Sequence, residues 1–223
     1  NCFVMRVKKA ANEAKILIVN HHLLFSDIQV RLSSQNYDDA AVLPPYTRLI
    51  FDEAHGVEAA ATSFFSENLN KFSINKQLNL LYRQRRKAAA GLLFSLHALS
   101  DSPIEMDEVV AALDQIKVNV QLLEDSALEL FQNQFTWRLC EATAFSVGSI
   151  LEKIEKLNVS IYEFVGLVRK VLDGVKDKDL ELPSVWETKQ VLKRIEAYGL
   201  LCKNFITWDE RPNSVFWLEK RSL

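Results

Sequence analysis

A chain of 223 residues with 48% hydrophobic and 25% charged side chains can bury one or two cores. No apolar run approaches the roughly 20 residues of a membrane-spanning helix, and the start at Asn1-Cys2 has neither the basic region nor the cleavage site of a secretory leader. A net charge of -2 lacks the basic excess of a stand-alone nucleic-acid binder. Three distant cysteines, Cys2, Cys140 and Cys202, fit a reducing compartment better than a disulfide framework. The expectation is a cytoplasmic protein without membrane contact, and the missing initiator Met fits a cut chain.

In chain order, residues 6–14 are rich in Ala, Lys and Glu and read as a short helix ahead of the apolar run Ile16, Leu17, Ile18, Val19. That run reads as a buried strand. A loop of Ser, Asn and Asp at 33–39, then Pro44 and Pro45, leads to a second short apolar run, Leu49, Ile50, Phe51, which ends in Asp52-Glu53. Two buried strands joined by a helical crossover suggest part of a parallel α/β sheet.

From about residue 70 to 205 the apolar spacing turns helical, with Leu78, Leu81, Tyr82, then Leu92, Leu93, Leu96, Leu99, then Leu113, Ile116, Val120, Leu123. Breaks at 101–103 and 173–183 leave about four or five helices. Gly148, Gly166 and Gly199 fall within them, with tight packing against a neighbour as the expected compensation for about 1 kcal/mol each. After Pro212, residues 214–219 read as a strand. The predicted fold is mainly α with a small α/β part, organised as residues 1–68, a helical insertion at 69–207, and a return strand at 208–223.

The chemistry sits at Asp52-Glu53-Ala54-His55. An apolar strand that delivers two adjacent carboxylates to its carboxyl end places them where open α/β sheets bind ligands. One carboxylate, Asp52, would hold a hydrated Mg²⁺, and its neighbour Glu53 would polarise water for attack on a γ-phosphate. The alternative is a charge pair that only caps a helix starting near His55, within an α-helical protein-interaction module without nucleotide chemistry.

The segments A-K-I-L-I-V-N-H-H-L-L-F-S-D at 14–27, L-P-P-Y-T-R-L-I-F-D-E-A-H-G-V-E at 43–58 and A-T-S-F-F at 61–65 together resemble the DinG/XPD family of iron-sulfur, DEAH-box DNA helicases of superfamily 2. The resemblance covers about the first 66 residues. It implies a partial RecA-like motor lobe, with Asp52 and Glu53 as its Mg²⁺ and water-activating acids and His55 as the residue coupling hydrolysis to strand movement. It implies that Cys2, followed by Phe3 and Arg6, is the fourth ligand of a [4Fe-4S] cluster. It further implies that the helical insertion is an Arch-like domain, forming with the lobe and cluster domain a ring through which single-stranded DNA passes. The implied parent is an ATP-dependent helicase acting on single-stranded or forked DNA, with Mg-ATP and the cluster as cofactors and repair or replication proteins as partners.

Two departures follow. No G-x-x-x-x-G-K-[ST] is present to cradle phosphates, and a Cys₄ cluster needs four thiolates where three exist. The chain alone is therefore expected to lack ATP hydrolysis and to carry no cluster. Strand edges left without partners could pair between copies, so a dimer of the chain could be an artefact of truncation.

Other candidates are weaker. Under the resemblance, Asn20 and His21 lie at a strand end facing DNA or the cluster domain, while His21-His22 lack partners at metal-ligand spacing. Arg83, Arg85, Arg86 and Lys87 within a helix would touch DNA phosphates, or be a solvated helix face. Phe131, Phe135 and Trp137 at helical spacing suggest bundle core rather than a base-stacking platform. Cys140 and Cys202 read as small buried hydrophobes, and His97, beside Leu93 and Leu96, as a core or boundary histidine.

Overall fold

The computed structural model describes residues 2–36, 39–85, 88–131 and 135–220. The chain forms two compact units, Asn1–Glu67 and Asn68–Leu223. The fold is mainly α, with two small antiparallel sheets among the described residues.

The first unit contains α1 (Phe3–Glu13), α2 (His21–Ser34), a 3-10 turn at Ala54–Gly56 and α3 (Val57–Phe65). Its buried apolar residues are Leu24, Phe25 and Leu43, against which Val19, Ile28, Val57 and Phe64 pack. Two sequence expectations need correction here. The runs 16–19 and 49–51 are not buried strands: neither joins a ladder, and Ile18 and Ile50 are 95% and 92% exposed. β-propensity alone does not make a strand, because the ladder needs a neighbour to receive its N–H and C=O groups.

The second unit comprises α4 (Lys71–Leu81), a hairpin of β1 (Arg83–Arg85) and β2 (Ala88–Ala90), α5 (Leu92–Leu99), α6 (Met106–Leu130), β3 (Thr136–Arg138), α7 (Glu141–Asp173), α8 (Pro183–Ile206) and β4 (Trp217–Glu219). The 33-residue α7 is the spine. Ile150, Ile154, Leu157, Ile161, Phe164 and Val168 recur along it at intervals of three and four, which keeps one stripe facing the core. Leu113, Ile116 and Val120 of α6, Val185, Leu192 and Ile195 of α8, Ile74 and Leu78 of α4 and Leu96 of α5 close the same core. The expected apolar positions are all in it or against it: Leu78, Leu81, Leu93, Leu96, Leu113, Ile116 and Val120 are buried, and Tyr82, Leu92, Leu99 and Leu123 pack on it.

Strand β4 lies inside the range read as a strand and pairs with β3, Trp137 opposite Leu218. The amide of Leu139 donates to the Phe216 carbonyl at 2.8 Å, so the segment after α8 is stitched to the α6–α7 connection. Phe131, Phe135 and Trp137 do not share a helix, because α6 ends at Leu130. Phe131 is buried, Trp137 packs on the core from β3, and Phe135 is exposed.

Of the helical glycines, only Gly199 meets the packing expectation, since a Cβ there would stand 3.0 Å from Ile161 Cγ2. Gly148 and Gly166 have open space around them, so close packing does not account for them.

Candidate active site

Helix α2 begins because Asn20, in an extended conformation, accepts the Leu23 amide on its side-chain oxygen at 2.9 Å. That is an N-cap bond, and it defines what Asn20 does in this fold. His21 follows, half-buried, with its ring stacked on Phe25 at 6.1 Å and tilted against Phe51 at 6.1 Å. His22 is exposed and meets Phe64 edge-on at 5.9 Å. The two imidazoles diverge to different aromatic partners, and no cluster of three metal-ligating side chains exists among the described residues.

Phe51 leads directly into the acidic turn. Glu53 adopts φ 50° and ψ 48°, a left-handed conformation that a β-unbranched acid adopts at a cost on the order of 1–3 kcal/mol. The other non-glycine residue with positive φ among the described residues, Gln35, ends α2, where left-handed residues ordinarily serve as stops. Glu53 instead precedes a helical turn, where an extended residue is the norm. The Asp52 carboxylate folds back onto its own chain, with Oδ1 accepting the Glu53 amide at 3.0 Å. Neither carboxylate makes a side-chain cap to the 3-10 turn or to α3. Both acids and His55 are exposed, and Glu53 Oε2 lies 3.2 Å from His55 Nδ1.

Composition and motif spacing missed the most buried polar group of this unit. Asp27, 0% exposed, accepts Arg31 Nε on Oδ2 at 2.7 Å and the amides of Val42 and Leu43 on Oδ1 at 3.0 and 2.7 Å. Arg31 in turn donates to the carbonyls of Asp39 and Leu43 at 2.9 and 3.2 Å, and its guanidinium lies 5.3 Å from the Tyr46 ring centre. Burial by itself would raise the Asp27 pKa; the hydrogen bonds from Arg31 and Leu43 outweigh it and hold the carboxyl below the usual range. Burial and the Asp27 charge together raise the Tyr46 phenol. The available signal was an Asp and an Arg at i and i+4 on one helix, ahead of a turn whose amides need acceptors.

The remaining candidates scatter. Cys2 is exposed and precedes α1, whereas Cys140 and Cys202 belong to the second unit. Cys202 is the buried hydrophobe expected, and burial pushes its thiol up to about 12. Cys140 corrects the expectation: it is half-buried at the start of α7 and its thiol lies 3.5 Å from Thr143 Oγ1, a contact that lowers its pKa. His97 is a boundary residue, its Nε2 3.2 Å from the Ile104 carbonyl.

Arg83 and Arg85 are not helical. Helix α4 stops at Leu81, and both lie in β1, paired with Ala90 and Ala88. Arg86 and Lys87 lie outside the described residues. A helix through 83–87 would set like charges at i, i+3 and i+4. The chain turns back instead, with Gly91 at φ 144° placed so that a Cβ would fall 2.1 Å from the Leu81 carbonyl oxygen.

Two curated relatives show what the chain resembles. The ATP-dependent DNA helicase YoaA of Haemophilus influenzae is 27% identical over 178 residues, covering 72% of this chain and 26% of that protein. The chain is similar to part of an ATP-dependent DNA helicase. The Escherichia coli helicase of the same name is 31% identical over 90 residues, 39% of this chain and 14% of that protein. The first match takes in more residues than either unit contains, so the likeness to this helicase is not confined to the acidic turn. The chain spans about a quarter or less of the length of these helicases. No protein-family model matches it, and no solved structure does. The DinG/XPD-like character read from residues 14–65 is in accord with these relatives. No helix among the described residues is long and apolar enough to cross a membrane.

Proposed function

We propose that this chain is a segment of an ATP-dependent DNA helicase in which the first unit contributes the hydrolytic acids and the second guides or gates single-stranded DNA. The observation that carries the reading is the Asp52-Glu53 turn. Two adjacent carboxylates are exposed on a left-handed bend and neither is spent on capping the helix that follows, as the helix-capping alternative requires.

The residues fit a Mg²⁺ ion bound in the manner of nucleotide-dependent motors, by one carboxylate and the substrate's phosphates. Asp52 Oδ1 already accepts the Glu53 amide, which leaves Oδ2 for the metal or its water shell. A Mg²⁺ held there would supply positive charge against the nucleotide's phosphates. Glu53 then orients the attacking water and takes its proton on a carboxylate oxygen. His55 Nδ1, beside Glu53 Oε2, holds that carboxylate and is the neighbour that senses its change of charge. The segment supplies one exposed thiol, Cys2, toward a [4Fe-4S] cluster that requires four. For the second unit, the exposed Arg83 of the β1 hairpin is the cation offered to DNA phosphates.

Replacing Glu53 by Gln in the full-length protein tests the reading. DNA-stimulated ATP turnover should fall about a hundredfold or more while ATP still binds, because the amide keeps the shape and loses the base. Retained turnover would remove Glu53 from this role.

A further inference from the structure

Asp27 is fully buried in a small unit, and the hydrolytic roles assigned above leave it unused. A carboxylate withdrawn from water is tolerated only when its lone pairs are met and its charge is paired. Here one oxygen takes the Arg31 guanidinium and the other takes two successive backbone amides, Val42 and Leu43. Arg31 completes the tie by donating to the carbonyls of Asp39 and Leu43 and covering Tyr46. The result fastens the turn at 39–46 to the C-terminal half of α2.

From that fastening the chain has only a short run to Asp52, and it is held again before it arrives. The Phe51 ring lies against His21 at the first turn of α2. His21 and Arg31 stand roughly 15 Å apart along the helix, and the seven steps from Pro44 to Phe51 reach at most about 25 Å. The approach to the acidic turn therefore runs back along α2, attached at both ends of the helix.

We infer that α2 is the splint of the acidic turn: Asp27 and Arg31, through the turn at 39–46, and His21, through Phe51, position Asp52 and Glu53 for the hydrolytic step. This rests on the proposed function. None of the three is a catalytic residue; each acts through the backbone it holds. A base that must meet a water's proton in the transition state is sensitive to small displacements, whereas phosphate binding tolerates them. Loosening the splint should therefore lower kcat and spare KM.

The experiment uses the full-length protein with Asp27→Asn and, separately, His21→Ala, beside Glu53→Gln. It reads hydrogen exchange over 39–53 and the kcat and KM of ATP hydrolysis per nucleotide-binding site. Asp27→Asn should speed exchange over that segment about tenfold and lower kcat about tenfold, with KM within about twofold. His21→Ala leaves no buried charge behind and keeps the comparison available if the first variant does not fold. It should lower kcat about threefold, with faster exchange around Phe51. Unchanged kcat in a variant whose exchange has risen overturns the inference, as does unchanged exchange in both. A general loss of fold would lower the number of nucleotide-binding sites without lowering kcat per site, which also counts against a positioning role. Turnover retained by Glu53→Gln instead overturns the chemistry assigned to the turn, while faster exchange in Asp27→Asn would still support the fastening itself.

Discussion

The two units hold themselves together by different means. The second unit closes around a core that is mainly apolar, with Phe164, Leu78, Leu113, Ile116 and Ile195 at 0% exposure and the Thr188 hydroxyl met by the Ser184 carbonyl of its own helix. The first has a small apolar centre of Leu24, Phe25 and Leu43 and secures its irregular segment with a buried ion pair, the Arg31 guanidinium over Tyr46 and the His21–Phe51 contact. A helical bundle satisfies its backbone within each helix, so apolar burial is free to set its stability. A long non-helical connection cannot do so, and buried polar groups must receive its amides and carbonyls.

The sharpest way to break that contrast is in the bundle. Phe164→Ala should cost the second unit about 3–5 kcal/mol, since truncating a fully buried aromatic removes its transfer energy and leaves a cavity. Urea unfolding followed at amides of α7 would read it. A loss under about 1 kcal/mol would mean that the bundle closes over the gap.

A comparable loss in the first unit should come from a charge. Arg31→Met keeps most of the volume but leaves Asp27 buried without its partner, which should cost about 3 kcal/mol or more. The same pair predicts an acid limit. The folded Asp27 pKa lies below its ordinary value of 3.8, so the pair's stabilisation is complete above that value and is lost as pH falls through the lower, folded one. Exchange at Val42 and Leu43 should rise in that window in the native chain and stay flat there in an Asp27→Asn variant.

The smallest effect sharpens the comparison without perturbing either core. An uncharged thiol reagent at neutral pH should modify exposed Cys2 and half-buried Cys140, whose pKa is lowered beside Thr143, well before Cys202, which stays untouched until the second unit opens. Mass spectrometry of the labelled chain checks the order. Because its thiol is pushed up to about 12 by burial, Cys202 favours the folded state below its ordinary value of 9.0, and that contribution fades as pH rises above it.

Local pattern carried much of this protein. Intervals of three and four located the core face of the helices, from Leu78 to Val120, because a helix forms from its own residues and only then finds partners. The acidic turn was legible because Asp52, Glu53 and His55 are contiguous, and so was the likeness to a DNA helicase carried by the segments around it. Tertiary structure decided everything that depends on a distant partner. Residues 16–19 and 49–51 have strand composition and no ladder. Arg83 and Arg85 left the helix because a hairpin and Gly91 turned the chain. Asp27 and Arg31 sit one helical turn apart, but their tie to residues 39–46 links positions that no single period relates, since it exists only once that turn has folded back onto α2.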